Sequence, residues 1–235
     1  MLDDLKAWIS DKLTGPTGHH GPAHLPLPKD AGTERLDDLR LIVLDLETTG
    51  LNPAKDKVIA IGAVAIDRMA IPLSDQFDLI LRRPELDIRE TVLIHGIGPE
   101  ALTKGHETRD ALVRLLEWMN GDPILAFHSA FDRKFLEKAL KQHLNYTQPH
   151  TWVDVADLMP AFFPDALEGS KRLDNWADHF GLEIAARHHA AADALATAEL
   201  ALIAFREAGR QGVVTLDDLH QKLRYYHRLK TLHRM

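Results

Sequence analysis

The sequence predicts an α/β domain with a mixed central β-sheet flanked by α-helices. Three apolar strand candidates lie close together at 40–46, 57–66 and 75–82. Their short connections favour an antiparallel meander. A fourth strand, short and buried, is predicted in "DPILAFHS", and a helix follows it. Strands that give way to alternating strands and helices are typical of a sheet with helices on its faces.

The helices are predicted from apolar residues that recur at helical spacing. Leu112, Leu115 and Leu116 mark the inner face of a helix at 108–119. The other predicted helices span 132–143, 154–162, 172–180, 189–207 and 215–230.

The first 35 residues differ in composition from the rest of the chain. Apolar residues at helical spacing predict a short amphipathic helix over 2–13. The stretch "GPTGHHGPAHLPLPKDAG" is rich in glycine and proline and predicts a linker. We therefore expect an N-terminal segment over 1–35, a principal domain over 36–207 and a C-terminal helical extension over 208–235. The 2–13 helix could dock a protein partner or pack against its own domain.

Composition and charge exclude several classes of protein. No apolar run approaches the ~18 residues of a membrane span, so no membrane partner is expected. The chain has no cysteine, which excludes disulfides and thiolate sites and fits a reducing compartment such as the cytoplasm. A net charge of −7 argues against broad binding to duplex nucleic acid. It is compatible with holding one strand end through bound metal ions.

Two carboxylates interrupt the most hydrophobic predicted strand, in "LIVLDLETTGL" at 41–51. Asp45 and Glu47 are two residues apart, so on a strand both point to the same face. Beside an apolar core each raises the cost of ionising the other, and a bivalent cation between them would remove that cost. The alternative is a strand that ends in a polar turn, because Thr-Thr-Gly is turn-like.

Two later segments also place an acid at the start of a predicted helix. "AFHSAFDRKFL" contains Asp132, and "RHHAAADALATAEL" contains Asp193. Either acid could simply stabilise its helix N-terminus. His188 and Asp193 are five residues apart and would lie ~140° out of alignment on a regular helix. They could converge if His188 lies on the loop before the helix, where its imidazole could take a proton from water.

Taken together, these three segments resemble the motifs of the DEDD 3′→5′ exonucleases. The similarity is to the histidine-containing branch, which includes RNase T-like enzymes and the proofreading epsilon subunit of bacterial DNA polymerase III. The matching motifs are "DLETTG", "HSAFD" and "HHAAADA", in the family's order, and coverage is about residues 38 to 207. The family often has His-Asn-x-x-Phe-Asp, whereas here His128 is followed by Ser129 and the motif is one residue shorter.

The resemblance implies a ribonuclease H-like exonuclease fold and a two-metal hydrolysis of phosphodiester bonds. The enzyme would act from the 3′ end of single-stranded DNA and release nucleoside 5′-monophosphates. Its cofactors would be two divalent ions, Mg²⁺ or Mn²⁺. Asp45, Glu47 and Asp193 would hold one ion, and Asp45 and Asp132 would reach the other. His188 would deprotonate the attacking water.

The resemblance also implies which residues contact the substrate. Thr48 and Thr49 would contact the terminal nucleotide, while His95, from "IHGIG", and Phe131 would pack around it. The expected partner is the 3′ end of a single strand, with DNA favoured over RNA. No motif settles the choice of sugar, so an exoribonuclease acting on short RNA is an open alternative.

Other protein classes fit the sequence less well. "DLETTG" is similar to the Asp-x-Asp-x-Thr of haloacid-dehalogenase-like phosphatases, but these need a late acidic pair after a strand. Here the late Asp193 lies in an alanine-rich predicted helix. "GIGPEA" lacks the βαβ setting of a dinucleotide-binding motif. A non-catalytic module that binds a nucleic-acid end or a protein stays open, although all four motif acids and the histidine are present.

Overall fold

The computed structural model describes residues 25–86, 95–167 and 172–232. The predicted helix at 2–13 lies outside these residues, so its role in docking a partner stays a prediction. Five strands form one sheet: β1 (Arg40–Thr48), β2 (Val58–Asp67), β3 (Gln76–Ile80), β4 (Ile124–Ala126) and β5 (Trp152–Asp154). The helices are α1 (Pro99–Lys104), α2 (Thr108–Met119), α3 (Ser129–Leu144), α4 (Val155–Phe162), α5 (Leu173–Phe180), α6 (Ala190–Arg210) and α7 (Leu216–Leu232).

The strand order in the sheet is β3-β2-β1-β4-β5. The first three strands form the predicted antiparallel meander. β4 pairs with β1 in parallel, and β5 pairs with β4 in parallel. The predicted mixed sheet flanked by helices is therefore confirmed, and β1 lies at its centre with a hydrogen-bonded strand on each side.

Most predicted elements are present, with shifted ends. α3 begins at Ser129 rather than at 132, and α6 continues to Arg210 rather than ending at 207. The short elements α1 and β5 were not predicted, because six and three residues are too few to show a period.

The two faces of the sheet bury separate apolar clusters. Leu41 and Val43 of β1 pack into the cluster that includes the alanine-rich face of α6. Ile42 and Leu44, one residue along in the strand, pack on the other side among residues of α2 and α3. This alternation is what a central strand covered by helices on both faces requires.

The described ends of the chain lie against this domain. Leu25 and Ala31 are buried, and the Tyr146 hydroxyl donates to the Pro26 carbonyl at 2.9 Å. Leu216, with two further leucines of α7, joins the cluster on the α6 face. The division at residues 35 and 207 stays a prediction. No helix in the described part of the chain is both long enough and apolar enough to cross a membrane.

Candidate active site

Three carboxylates converge at the carboxyl end of β1. Asp45 and Glu47 extend from the strand, and Asp193 comes from the first turn of α6. One oxygen from each lies within 4.8 Å of the others. α6 reaches the strand closely because Gly62 of β2 has no side chain, and a Cβ there would lie 2.1 Å from the Ala191 nitrogen. The site is therefore built by a helix N-terminus packed onto the sheet.

Asp132 lies beside this cluster but is not one of the three converging residues. It is buried in the first turn of α3, where an acid could be an ordinary helix cap. Its carboxylate nevertheless accepts a hydrogen bond from the Leu46 N–H, at 3.1 Å. This bond ties α3 to the strand segment between Asp45 and Glu47.

Burial and clustered negative charge raise the pKa values of Asp45, Glu47 and Asp132. Burial, then repulsion from Asp132, Asp193 and Glu47, raises the pKa of Asp45 well above its ordinary value. Burial, then repulsion from Asp193, raises the pKa of Glu47 to about 7. Burial is also the largest cause of the raised pKa of Asp132, which reaches about 8. The site therefore holds more negative charge than its surroundings compensate.

Arg187 partly offsets this charge. Its guanidinium forms ion pairs with Asp193 and with Asp174 of α5. The same cation lowers the pKa values of Asp45 and Glu47, although burial and repulsion outweigh it. Sequence reasoning missed Arg187, because a single arginine in a loop belongs to no recognisable pattern.

The donor set fits divalent metal ions. All of the donors are carboxylate oxygens, which suit hard cations such as Mg²⁺ and Mn²⁺. One oxygen of Asp193, Oδ1, is buried without a hydrogen-bond partner among the described residues. A buried charged oxygen without a partner is costly, and a cation bound between the carboxylates would satisfy it.

His188 lies on the loop immediately before α6, the position from which it can converge with Asp193. It adopts a left-handed backbone conformation with φ of 60°. Its N–H donates to Oδ2 of Asp193 at 3.2 Å. The residue borders two cavities, one of about 500 Å³ with Glu47 and one of about 280 Å³ with Asp45. His188 therefore lies beside the carboxylates, on an exposed loop.

Of the four predicted substrate contacts, the structure brings one to the larger cavity. His95 lines it, its Nδ1 accepts the Ile97 N–H at 3.1 Å, and its Nε2 is buried without a partner among the described residues. Thr48, Thr49 and Phe131 do not line this cavity. Thr48 Oγ1 instead donates to the Gly50 carbonyl at 2.8 Å.

Asp154 is a second residue that sequence reasoning missed. It ends β5, and its Oδ1 accepts the His128 N–H at 3.0 Å. Its Oδ2 accepts from Ser129 Oγ at 3.3 Å. His128 itself has a left-handed φ of 65° at the N-terminus of α3. Asp154 therefore fixes the shortened motif that leads to Asp132.

Comparison with known proteins assigns the chain to a family. Residues 42–201 match the sequence profile of the RNase T exonucleases. The chain belongs to this exonuclease family. The predicted family and the prediction of a metal-dependent hydrolytic enzyme are thereby confirmed, and the matched region contains all four acids and His188.

The exonuclease is similar in sequence to one part of several much longer proteins. It is 26% identical over 201 residues to the PolC-type DNA polymerase III of Bacillus subtilis, covering 85% of this chain and 14% of the polymerase. It is 28% identical over 184 residues to the PolC-type DNA polymerase III of Thermotoga maritima, covering 78% of this chain and 13% of that protein. The chain thus spans only a small part of the polymerases that it matches.

The exonuclease also shares its fold with solved structures. It superposes on Escherichia coli Exonuclease I in complex with a dT13 oligonucleotide with a TM-score of 0.63 and 21% identity, over 74% of this chain and 42% of that one. Exonuclease I from Methylocaldum szegediense gives a TM-score of 0.59 and 21% identity, over 70% of this chain and 40% of that one. The ribonuclease H-like exonuclease fold is therefore confirmed.

Proposed function

We propose that this exonuclease removes nucleoside 5′-monophosphates one at a time from the 3′ end of single-stranded DNA. The observation that carries the proposal is the convergence of Asp45, Glu47 and Asp193 within 4.8 Å, with His188 on the adjoining loop. The structural likeness to an Exonuclease I that binds dT13 supports single-stranded DNA as the substrate. The resemblance to PolC-type DNA polymerases supports a role in DNA metabolism.

The proposed cofactors are two Mg²⁺ or Mn²⁺ ions. Asp45, Glu47 and Asp193 would hold one, and Asp45 with Asp132 would hold the other. Such ions, when bound, activate water and stabilise the leaving oxygen of a phosphodiester. Burial and then mutual repulsion raise the pKa values of Asp45 and Glu47, and such carboxylates bind cations at the expense of protons, which favours this assignment.

His188 is the proposed general base. A water oxygen forms the new bond to phosphorus, its proton passes to the imidazole, and the P–O3′ bond breaks as O3′ takes a proton from solvent. The products are a nucleoside 5′-monophosphate and a strand with a new 3′ hydroxyl. The bond from the His188 N–H to Asp193 is made by the backbone, so it holds the loop beside the site without using the imidazole.

The substrate roles of Thr48, Thr49, His95 and Phe131 stay part of the proposal. His95 has the strongest structural support, because it shares a cavity with Glu47 and His188. As the place of action we propose the cytoplasm, since a chain without cysteine suits a reducing compartment.

The test is hydrolysis of 5′-labelled single strands of DNA and RNA with the same sequence. Each strand is incubated with Mg²⁺, with Mn²⁺ and with a chelator. We expect a metal-dependent ladder that shortens from the 3′ end and is abolished in Asp193→Ala. Asp178→Ala, which removes an exposed carboxylate on α5, is the matched control and should retain activity. Absence of a ladder with both metals would contradict the proposal. Faster shortening of the RNA strand than of the DNA strand would mean that RNA is the preferred substrate.

A second pair of variants tests the general base. His188→Asn tolerates the left-handed backbone of this position but removes the imidazole. We expect a loss of about 10²–10⁴-fold in turnover. His189→Asn changes the neighbouring histidine, whose Nε2 lies 3.8 Å from an oxygen of Asp78. Equal losses in both variants would contradict the assignment of His188.

A further inference from the structure

A basic groove lies between the β1–β2 loop and α3, the helix that also carries Asp132. It is a cavity of about 490 Å³. The cationic and imidazole side chains that line it, which define the groove, are Lys55, Lys57, Arg83, Lys138 and His143. Two acids, Asp56 and Glu85, also line it. Cations outnumber acids here, in a chain whose net charge is −7.

Arg83 is the buried cation of the groove. It is 9% exposed, and its Nε has no hydrogen-bond partner among the described residues. Its Nη1 donates to Thr108 Oγ1 and to the Arg82 carbonyl, neither of which carries a charge. The charges of Glu85 and Glu107 compensate part of the charge of this guanidinium, and an anion bound beside it would give the buried Nε a partner.

The positive charge of the groove affects the other side chains that line it. Burial, and then the positive charges of Arg83 and Lys57, lower the pKa of His143. Lys57 pairs with Glu85 at 2.9 Å, but both side chains are about half exposed. A solvent-exposed pair of this kind is weak and exchanges readily for a stronger anion.

The groove has a fixed shape, because Lys138 holds the loop against α3. Its ammonium donates to the carbonyl of Pro53 at 2.6 Å and to the carbonyl of Asp56 at 3.2 Å. α3 also carries Asp132 of the proposed metal site. One helix therefore sets the position of both the groove and the site.

Lys57, which lines the groove, is hydrogen-bonded to Thr49, one of the proposed substrate contacts. The Thr49 N–H donates to the Lys57 carbonyl at 3.0 Å, and the Lys57 N–H donates back to Thr49 Oγ1 at 3.0 Å. Thr49 is a proposed contact of the terminal nucleotide. A strand whose 3′ end lies at Thr49 can therefore continue along the loop into the groove.

We propose that the basic groove binds the phosphodiester backbone of the substrate strand, on the 5′ side of its terminal nucleotide. Guanidinium and ammonium groups are the side chains that bind phosphate oxygens. The inference deepens the proposed function and depends on it for the identity of the strand. It explains how an acidic protein holds an anionic polymer.

The test compares two double variants that lose the same charge. Lys55→Met/Lys57→Met alters exposed lysines of the groove, and Lys222→Met/Lys230→Met alters lysines of α7. Binding of a labelled single-stranded oligonucleotide of about 12 nucleotides is measured by fluorescence anisotropy in chelator, at increasing salt. Hydrolysis of the p-nitrophenyl ester of thymidine 5′-monophosphate, which has no 5′-side backbone, is measured in parallel with Mn²⁺.

We expect the groove variant to bind the oligonucleotide about tenfold more weakly, with the slope of log K against log salt reduced by ~1.4 for two lost phosphate contacts. Ester hydrolysis should be unchanged, and the α7 variant should match wild type. Unchanged binding in the groove variant, or equal weakening in both variants, would overturn the inference. If the wild-type protein does not hydrolyse the ester, this result counts against the proposed function but does not affect the conclusion from binding.

A second experiment uses inorganic phosphate as the ligand. It distinguishes a site for a nucleic-acid strand from a site for small anions. Thermal stabilisation by phosphate is measured for wild type and the groove variant. If the variant loses this stabilisation but binds the oligonucleotide as wild type does, the groove is a site for free anions and the strand proposal is wrong. If both responses are lost together, the proposal is supported.

Discussion

Replacing Gly62 with alanine should displace the helix that carries Asp193. The added Cβ would lie 2.1 Å from the Ala191 nitrogen and 2.2 Å from the Ala190 carbonyl carbon, which are both backbone atoms. Restoring an ordinary contact of 3.4 Å requires a shift of ~1.3 Å between β2 and α6. A displacement of about 1 Å in a catalytic group costs about 10²-fold in rate. Overpacking of this kind also destabilises a fold by ~1–3 kcal/mol.

The assay is the rate of release from a 3′-end substrate with saturating Mg²⁺, together with Mn²⁺ affinity and urea unfolding. We expect Gly62→Ala to lose about 10²-fold in rate and to bind Mn²⁺ more weakly while its circular dichroism stays native-like. Gly209→Ala is the matched control, because it lies in the same helix and a Cβ there meets nothing within 4 Å. Wild-type rate and stability in Gly62→Ala would refute the idea that close packing of α6 sets the site.

Three further outcomes follow from the charges in the structure. Glu47 has a folded-state pKa of about 7 against 4.5, so the metal-free protein should lose stability as pH rises between these values. Stabilisation by Mg²⁺ in thermal melts should grow over the same interval, and a constant difference would contradict this. Arg187→Met should lower the melting temperature in chelator yet bind Mn²⁺ about tenfold more tightly by calorimetry, because a competing cation is gone from Asp193. Asp122→Ala removes the buried carboxylate that pairs with Arg40 and Lys29 while Arg40 keeps Asp75, and should lose ~2 kcal/mol in urea unfolding at unchanged turnover.

The sequence predicted the part of the site that local periodicity encodes. Asp45 and Glu47 share a face because side chains two apart on a strand do so. His188 was expected beside Asp193 only if it lay on the loop before the helix, because the two cannot align on one regular helix. Both inferences use only neighbouring residues and standard geometry.

Features that depend on distant partners were not predictable. Arg187 faces Asp174 and Asp193, which come from two different helices. Asp154 supports His128 through a bond between segments that are far apart along the chain. β5 has only three residues and is defined by its pairing with β4 rather than by its own pattern.

The carboxylates are far apart along the chain, and this separation determines the stage of folding at which the metal site forms. Asp45 belongs to an early strand and Asp193 to a late helix, so the cluster exists only after a long loop has closed. We expect divalent ions to find their full set of ligands only at the end of folding, and so to act mainly by slowing unfolding. In a cell short of these ions, the enzyme would unfold faster and be degraded as unfolded chain. Its abundance would then fall before the lack of metal limited its catalytic rate.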